Sequence, residues 1–430
     1  MERKQTVNRI TALCAAALVF SLAACAKKQE AGTQGAAAKG PVRITVWEMY
    51  GPSRNMNKIA DAFNKSQNEV YVVDEFIPQH TELVQKVQVA AAAGSGLPDV
   101  ILVDMFYAPV INDLVGLVDL IPYLASDPSI SADDFYDNLK NFSNINGKQI
   151  SLHGYANNII LYYNKKLFRD AGLNPEKPPV TWNDLVQYAQ KMTKAGQWGY
   201  ITDFTYNPYY EIISWEYQVF VWQNGGEMWD SNWRPTFNTP EGVEALQFMM
   251  DLIYKYKVTT LAPPEAAFDQ GKAGMLMSGS WEGTDHEAAL GDDLGTAALP
   301  YSKFAASNTG GEHWMILPTG KEKEDASWKY VSHMLSEPVV TEICKLSGMV
   351  PTRKSIADSA AFQTVANQSA TMKTSMEVMS HSRMRAASPR YGAASEAMSA
   401  PLQQAMYNKI SAKDAVAAAS EAFARAINGQ

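Results

Sequence analysis

Strand-type and helix-type hydrophobic periodicity alternate along this chain, and that alternation limits the folds open to it. Val42, Ile44 and Val46 repeat at every second residue, Met56, Ile59, Ala60 and Phe63 recur at helical spacing, and Val70 to Phe76 returns to strand character. Leu83, Val84, Val87 and Ala91 mark a second helix ended by Gly94-Ser95-Gly96, and Asp99 to Val103 is a short apolar run of the buried-strand type. Connections of a few residues between such elements argue for a mainly parallel sheet covered by helices on both faces. A second α/β set begins near Tyr155. Ile159 to Tyr163 reads as a strand, Lys165 to Ala171 as a helix stopped at Gly172, and Thr181 caps a longer helix with Asp184 at its third position. Thr239-Pro240-Glu241 opens another helix, with a cap, a first-turn proline and an acid at the positive end of the dipole. Gly274 to Met277, Leu294 to Ala298 and Met315 to Leu317 are further strand candidates, and from Glu324 onward the pattern is nearly all helical.

The N-terminus has a different logic. Arg3, Lys4 and Arg9 precede a run from Ile10 to Ala24 that is almost wholly small or apolar, the layout of a secretion signal over residues 1–24. That run is too short to span a membrane permanently. Leu22-Ala23-Ala24-Cys25 closes it and resembles the lipobox of bacterial lipoproteins, which implies diacylglycerol on the Cys25 sulfur, carrying palmitate-type chains, and cleavage just before it. Residues 25–40 are polar and small, cannot bury a core, and are expected to act as a flexible tether holding the folded part off a membrane.

Cys14 leaves with the signal, Cys25 takes the lipid and Cys344 has no partner, so no disulfide is expected within the mature chain. Removing residues 1–24 leaves 34 basic and 44 acidic residues, a net charge of −10 that argues against nucleic acid as a partner. Familiar catalytic patterns fail at specific positions. His286-Glu287 lacks the second histidine of a zinc protease because Leu290 stands in its place, and neither Gly271-Lys272-Ala273 nor Gly320-Lys321-Glu322 has the hydroxyl residue of a phosphate loop. The six histidines, His80, His153, His286, His313, His333 and His381, are dispersed without ligand spacing and read as surface or structural. No metal, no cofactor and no catalysis are expected.

Aromatic residues beside acids and small residues, at the ends of expected strands, form the positive signal. Trp47-Glu48 follows the first strand, Asp104 follows the third, Ser280-Trp281-Glu282 follows the strand at Gly274, and Gly310-Gly311-Glu312 precedes the strand at Met315. Carboxyl ends of strands in open α/β sheets line the ligand crevice. An indole offers a flat apolar face to a sugar ring while a carboxylate accepts hydrogen bonds from hydroxyls, and Trp281 is the strongest single candidate for such a role.

The phrases Gly96-Leu97-Pro98-Asp99-Val100-Ile101, Leu161 to Phe168 with Ala171-Gly172-Leu173, Pro179 to Leu185, Gly274 to Trp281 and Gly348 to Arg353 occur in an order that resembles family 1 extracellular solute-binding proteins of ABC importers, relatives of maltose-binding protein. The similarity runs from Pro41 to Ile427. It implies a two-lobe α/β periplasmic-binding-protein fold of type II, a sugar or short oligosaccharide held between the lobes, and a monomer that docks on a membrane permease. It implies crossings between lobes near Tyr155 to Asn158, Ala297 to Tyr301 and Ser347 to Thr352. The N-terminal lobe would then be 41–155 plus 300–348 and the C-terminal lobe 156–299 plus 349–430.

The same resemblance points to Trp47, Glu48, Asp104, Tyr155, Trp281, Gly310, Gly311 and Arg353 as ligand contacts. The helix with Trp215 and Trp222 would form part of the second lobe's wall, and Trp222 joins the candidates. Arg353 would bind a ligand anion or pair with an acid at the hinge, and Arg383, Arg385 and Arg390 read as a solvated basic patch. Competing functions are a binding protein for a glycerol-phosphate-type ligand, a secreted glycosidase using paired carboxylates, and a surface adhesin.

Overall fold

Val42–Glu48 (β1) forms the strand its alternation predicts, and it lies parallel to Val70–Phe76 (β2) on one side and Val100–Asp104 (β3) on the other. Helices Met56–Ser66 and His80–Ala93 make the two crossovers. The first four residues of β3 are buried, as an interior strand covered on both faces requires. The computed structural model describes residues 40–202, 210–264 and 266–430, so the signal, Cys25 and nearly all of the tether lie outside the described residues. The first sheet is mixed, not wholly parallel: strand Glu312–Ile316 adds antiparallel to β3, and Leu152–His153 (β4) pairs antiparallel beyond it.

Tyr155–Asn164 (β5) is the centre of the second sheet and is buried at all ten positions. Met275–Gly279 and Leu294–Ala297 pair with it antiparallel toward its C-terminal end, while Ser307–Gly310 and Val350–Pro351 pair with its first residues. Helix Trp182–Met192 begins with the expected capping box, Thr181 accepting from the Asp184 N–H and Asp184 from the Thr181 N–H. Thr239 caps helix Pro240–Tyr254 by accepting from the Gly242 N–H. Helices Tyr391–Met406 and Ala412–Ile427 complete this lobe's core through Tyr391, Met398, Leu402 and Phe423.

The chain passes between the two sheets at Gly154, immediately before β5. The second passage, expected near Ala297 to Tyr301, falls instead between Gly310 and Glu312. Strand Leu294–Ala297 pairs with the far end of β5, Leu294 opposite Asn164, so the chain must run back to the start of β5 before it can leave. It does so as Ser307–Gly310, whose Thr309 and Gly310 face Asn158 and Asn157. A boundary at residue 300 therefore leaves a strand of the second sheet in the wrong lobe. Gly311 makes the turn with φ of 135°, and a Cβ there would stand 1.9 Å from the Tyr155 carbonyl oxygen, so glycine is required on both counts.

Candidate ligand-binding cleft

The first lobe builds its side of a cleft from strand ends. After β1, the buried Glu48 carboxylate accepts the Tyr50 N–H at 2.6 Å and the Gly51 N–H at 2.9 Å, which fixes the turn that carries Tyr50 inward. Burial pushes the Glu48 carboxyl up to about 7 against the pull of those N–H groups. The Tyr50 hydroxyl donates to Glu312, at the start of its strand, and the Tyr50 ring lies 6.1 Å from that of Tyr155. Burial, then the charge of Asp104, pushes the Glu312 carboxyl up to about 8, so it holds its proton at neutral pH. Asp104 ends β3, accepts the Phe106 N–H at 3.0 Å, and has His80 Nδ1 3.4 Å from its own N–H.

The second lobe builds its side from aromatics. Strand Met275–Gly279 runs into a single turn, Ser280–Glu282, that presents Trp281. The indole folds back over Gly279, where a Cβ would meet the ring at 2.1 Å, so the glycine makes room for the tryptophan. Glu282 anchors the turn by accepting from the Ser278 hydroxyl at 2.7 Å and by facing His286 at 3.5 Å. Burial would lower the His286 pKa, but hydrogen bonds to Asp269 and Glu282 outweigh it and raise it to about 9. Trp281 stacks on Trp215 from helix Tyr210–Gln223, with ring centres 5.5 Å apart and planes 10° from parallel.

Between these sides lies a cleft of about 340 Å³. Tyr50, Arg54, His80, Asp104 and Glu312 line it from the first lobe, and Asn157, Trp215, Trp281 and Arg385 from the second. Among the described residues, Asn157 Oδ1 and Trp215 Nε1 are buried without hydrogen-bond partners.

Of the residues the sequence singled out, Asp104 and Trp281 line this cleft. The others do not. Trp47 points to the opposite face of β1, packs in a core with Ile101 and Met315, and has Lys86 Nζ 4.0 Å from its ring centre. Glu48 acts one step back, through Tyr50, and Tyr155 is fully buried behind that same ring. Trp222 sits seven residues beyond Trp215, about 10 Å along the helix axis, and packs instead against Trp229 and under Arg383. Gly310 ends the strand Ser307–Gly310 on the second sheet and Gly311 is the crossing itself. Arg353 binds Asp134 at 2.8 Å and donates to the carbonyls of Leu335 and Ser129, so of its two expected roles the structural one is seen.

Arg383 is exposed and pairs with Glu227, consistent with a solvated patch. Arg385 departs from that patch. It is buried, and its Nη2 donates to both Asp104 oxygens at 2.6 and 2.8 Å. Tyr50, Arg54, His80, Asn157 and Arg385 are not among the expected contacts, whereas Trp215 is expected on the second lobe's wall and Glu312 stands beside the paired glycines, neither as a contact in its own right. Only the last two carried a sequence signal, an aromatic on a helix face and an acid after paired glycines.

A family of bacterial extracellular solute-binding proteins matches residues 58–371. The chain belongs to that family. Its members are non-catalytic, and this solute-binding protein has their two-lobe α/β fold of the maltose-binding-protein type. The cyclic α-maltosyl-1,6-maltose binding protein of Arthrobacter globiformis superposes with a TM-score of 0.82 at 31% identity, covering 91% of this chain and 100% of that one. The arabinooligosaccharide-binding protein of Halalkalibacterium halodurans is 25% identical over 337 residues, 74% of this chain and 69% of its own. A probable amino-acid ABC transporter periplasmic-binding protein of Sinorhizobium fredii is 25% identical over 239 residues, so the aligned part spans 52% of that relative's length.

Proposed function

We propose that this solute-binding protein captures an uncharged sugar or short oligosaccharide between its lobes and delivers it to an ABC permease, tethered to the membrane by a lipid on Cys25. The observation that carries the reading is the parallel Trp215–Trp281 pair set across the cleft from Tyr50, Asp104 and Glu312, with Asn157 Oδ1 and Trp215 Nε1 unpartnered among the described residues. Sugar rings present apolar C–H faces and hydroxyls that both donate and accept. Such a ligand would cover the indoles and satisfy both orphan atoms, and a buried polar group left unpaired costs about 1–3 kcal/mol. The sugar names of two relatives, the Arthrobacter and Halalkalibacterium proteins, point the same way. Arg353 offers nothing to a phosphorylated ligand because it is engaged with Asp134 outside the cleft, and the cleft's Arg385 is paired with Asp104.

A ligand that binds the closed form better than the open one moves the population further toward it, by no more than that difference in affinity. Mass spectrometry of small molecules that co-purify with the protein, followed by thermal shift against neutral oligosaccharides, tests the reading. A bound ligand raises the midpoint with concentration. A midpoint indifferent to every neutral sugar would sink the proposal. For the anchor, radioactive palmitate should label the wild type and not Cys25→Ala.

A further inference from the structure

Arg385 belongs to the second lobe, two residues past strand Ser382–Arg383, yet its guanidinium reaches the end of β3 in the first. Two aromatic rings flank the contact. The guanidinium carbon lies 4.7 Å from the ring centre of Phe106, which follows β3, and 5.5 Å from that of Trp215, which carries the stacked Trp281. Asp104 in turn holds Phe106 through its N–H. One buried side chain thus touches both lobes and the indole wall. We propose, building on the binding function above, that Arg385 is a positioning residue that ties the lobes together without ligand and seats Trp215 against Trp281.

Separating the lobes along the cleft pulls Asp104 from Arg385 and removes Phe106 from the cation's face. The Asp104 carboxylate then has to be rehydrated, and removing the guanidinium from such a pair strands that charge in a partly buried site. The tie biases the empty protein toward closure, and a sugar entering the cleft finds its indole wall already set. It also means that two lobes joined by narrow crossings share one side chain as a common reference.

The test needs no sugar, so its failure is distinguishable from failure of the binding function. Nitroxide labels are placed on the full-length protein in detergent at exposed positions, Asn57→Cys in the first lobe and Lys177→Cys in the second, and inter-lobe distances are read by pulsed electron resonance. The ligand-free protein should give one short, narrow distance. Asp104→Asn and Arg385→Gln should each shift the distribution outward and increase acrylamide quenching of tryptophan fluorescence, while Arg385→Lys restores the short distance in part. A purely structural role would lower the melting temperature without moving the distance. The proposal is overturned if the unsubstituted protein is already broad and long, or if both variants keep its distance. Should one variant fail to fold, the other and the unsubstituted protein decide.

Discussion

Trp281 and Trp215 lie 5.5 Å apart with their planes 10° from parallel, although one sits on a turn after a strand and the other on a helix 66 residues earlier. Trp281 is the member held by the turn, so replacing it removes half of the wall and leaves the helix intact. Trp281→Ala is expected to weaken sugar binding by about 2 kcal/mol, roughly 30-fold. Titration calorimetry checks this, and circular dichroism should show an unchanged fold.

Glu312 predicts a loss of stability on the alkaline side. Its pKa is raised to about 8 by burial and by the charge of Asp104, so between its usual value near 4.5 and about 8 the unfolded chain releases a proton that the folded chain keeps. Stability therefore falls as pH rises through that window. Glu312→Gln keeps a neutral acceptor for the Tyr50 hydroxyl and should flatten the decline in urea unfolding between pH 5 and 8. Glu48, raised to about 7, has the same sign and leaves a residual slope.

A buried histidine pair predicts the opposite limb. His313 Nδ1 meets the hydroxyls of Ser151 at 2.8 Å and Ser143 at 3.0 Å, His313 Nε2 meets His153 Nδ1 at 2.6 Å, and His153 Nε2 reaches the Gly310 carbonyl at 3.3 Å. Because the carbonyl can only accept, His153 carries its proton on Nε2, His313 donates from Nε2, and both serine hydroxyls donate to Nδ1. Both rings must be neutral. Burial lowers the His153 pKa to about 4 and that of His313 well below normal. As pH falls from about 6.5 toward 4 the unfolded chain takes up protons that the folded chain refuses, and stability drops. His153→Asn should lower stability at pH 7 yet reduce its further loss at pH 4.5, as read from melting curves at the two values.

Arg353→Ala separates structure from binding. Its guanidinium serves Asp134 and two carbonyls with both partners of the ion pair nearly buried, so truncation is expected to cost about 3 kcal/mol of folding stability. Sugar affinity, measured well below the lowered melting point, should stay within about twofold of the original. A large loss of affinity in a well-folded variant would return Arg353 to the ligand site.

What the sequence revealed follows from how local each determinant is. β1, β2 and β3 announce themselves because one apolar period is enough, and Thr181 with Asp184 is a cap written within four residues. Trp281 and Asp104 stand at strand ends, where topology alone directs them to a crevice. The short strand Ser307–Gly310 has no apolar residue to betray it, since its ladder partners Asn157 and Asn158 supply the context. Arg385 looked like its exposed neighbour Arg383 because its partner Asp104 is 281 residues away. Trp47 misled for a simpler reason. Period-two alternation fixes which residues share a face and leaves open which face meets the cleft.

Strand β5 also decides how this gene can be cut. Segments from Met275–Gly279, Leu294–Ala297, Ser307–Gly310 and Val350–Pro351 all ladder onto its ten residues. Any single break between positions 165 and 349 gives two fragments, one holding β5 and the other some of the strands that sheathe it. Neither lobe is a contiguous reading frame that truncation can isolate, whereas two such fragments carry matching edges. A split version of this protein would report reassembly by recovering a sheet that neither half can build.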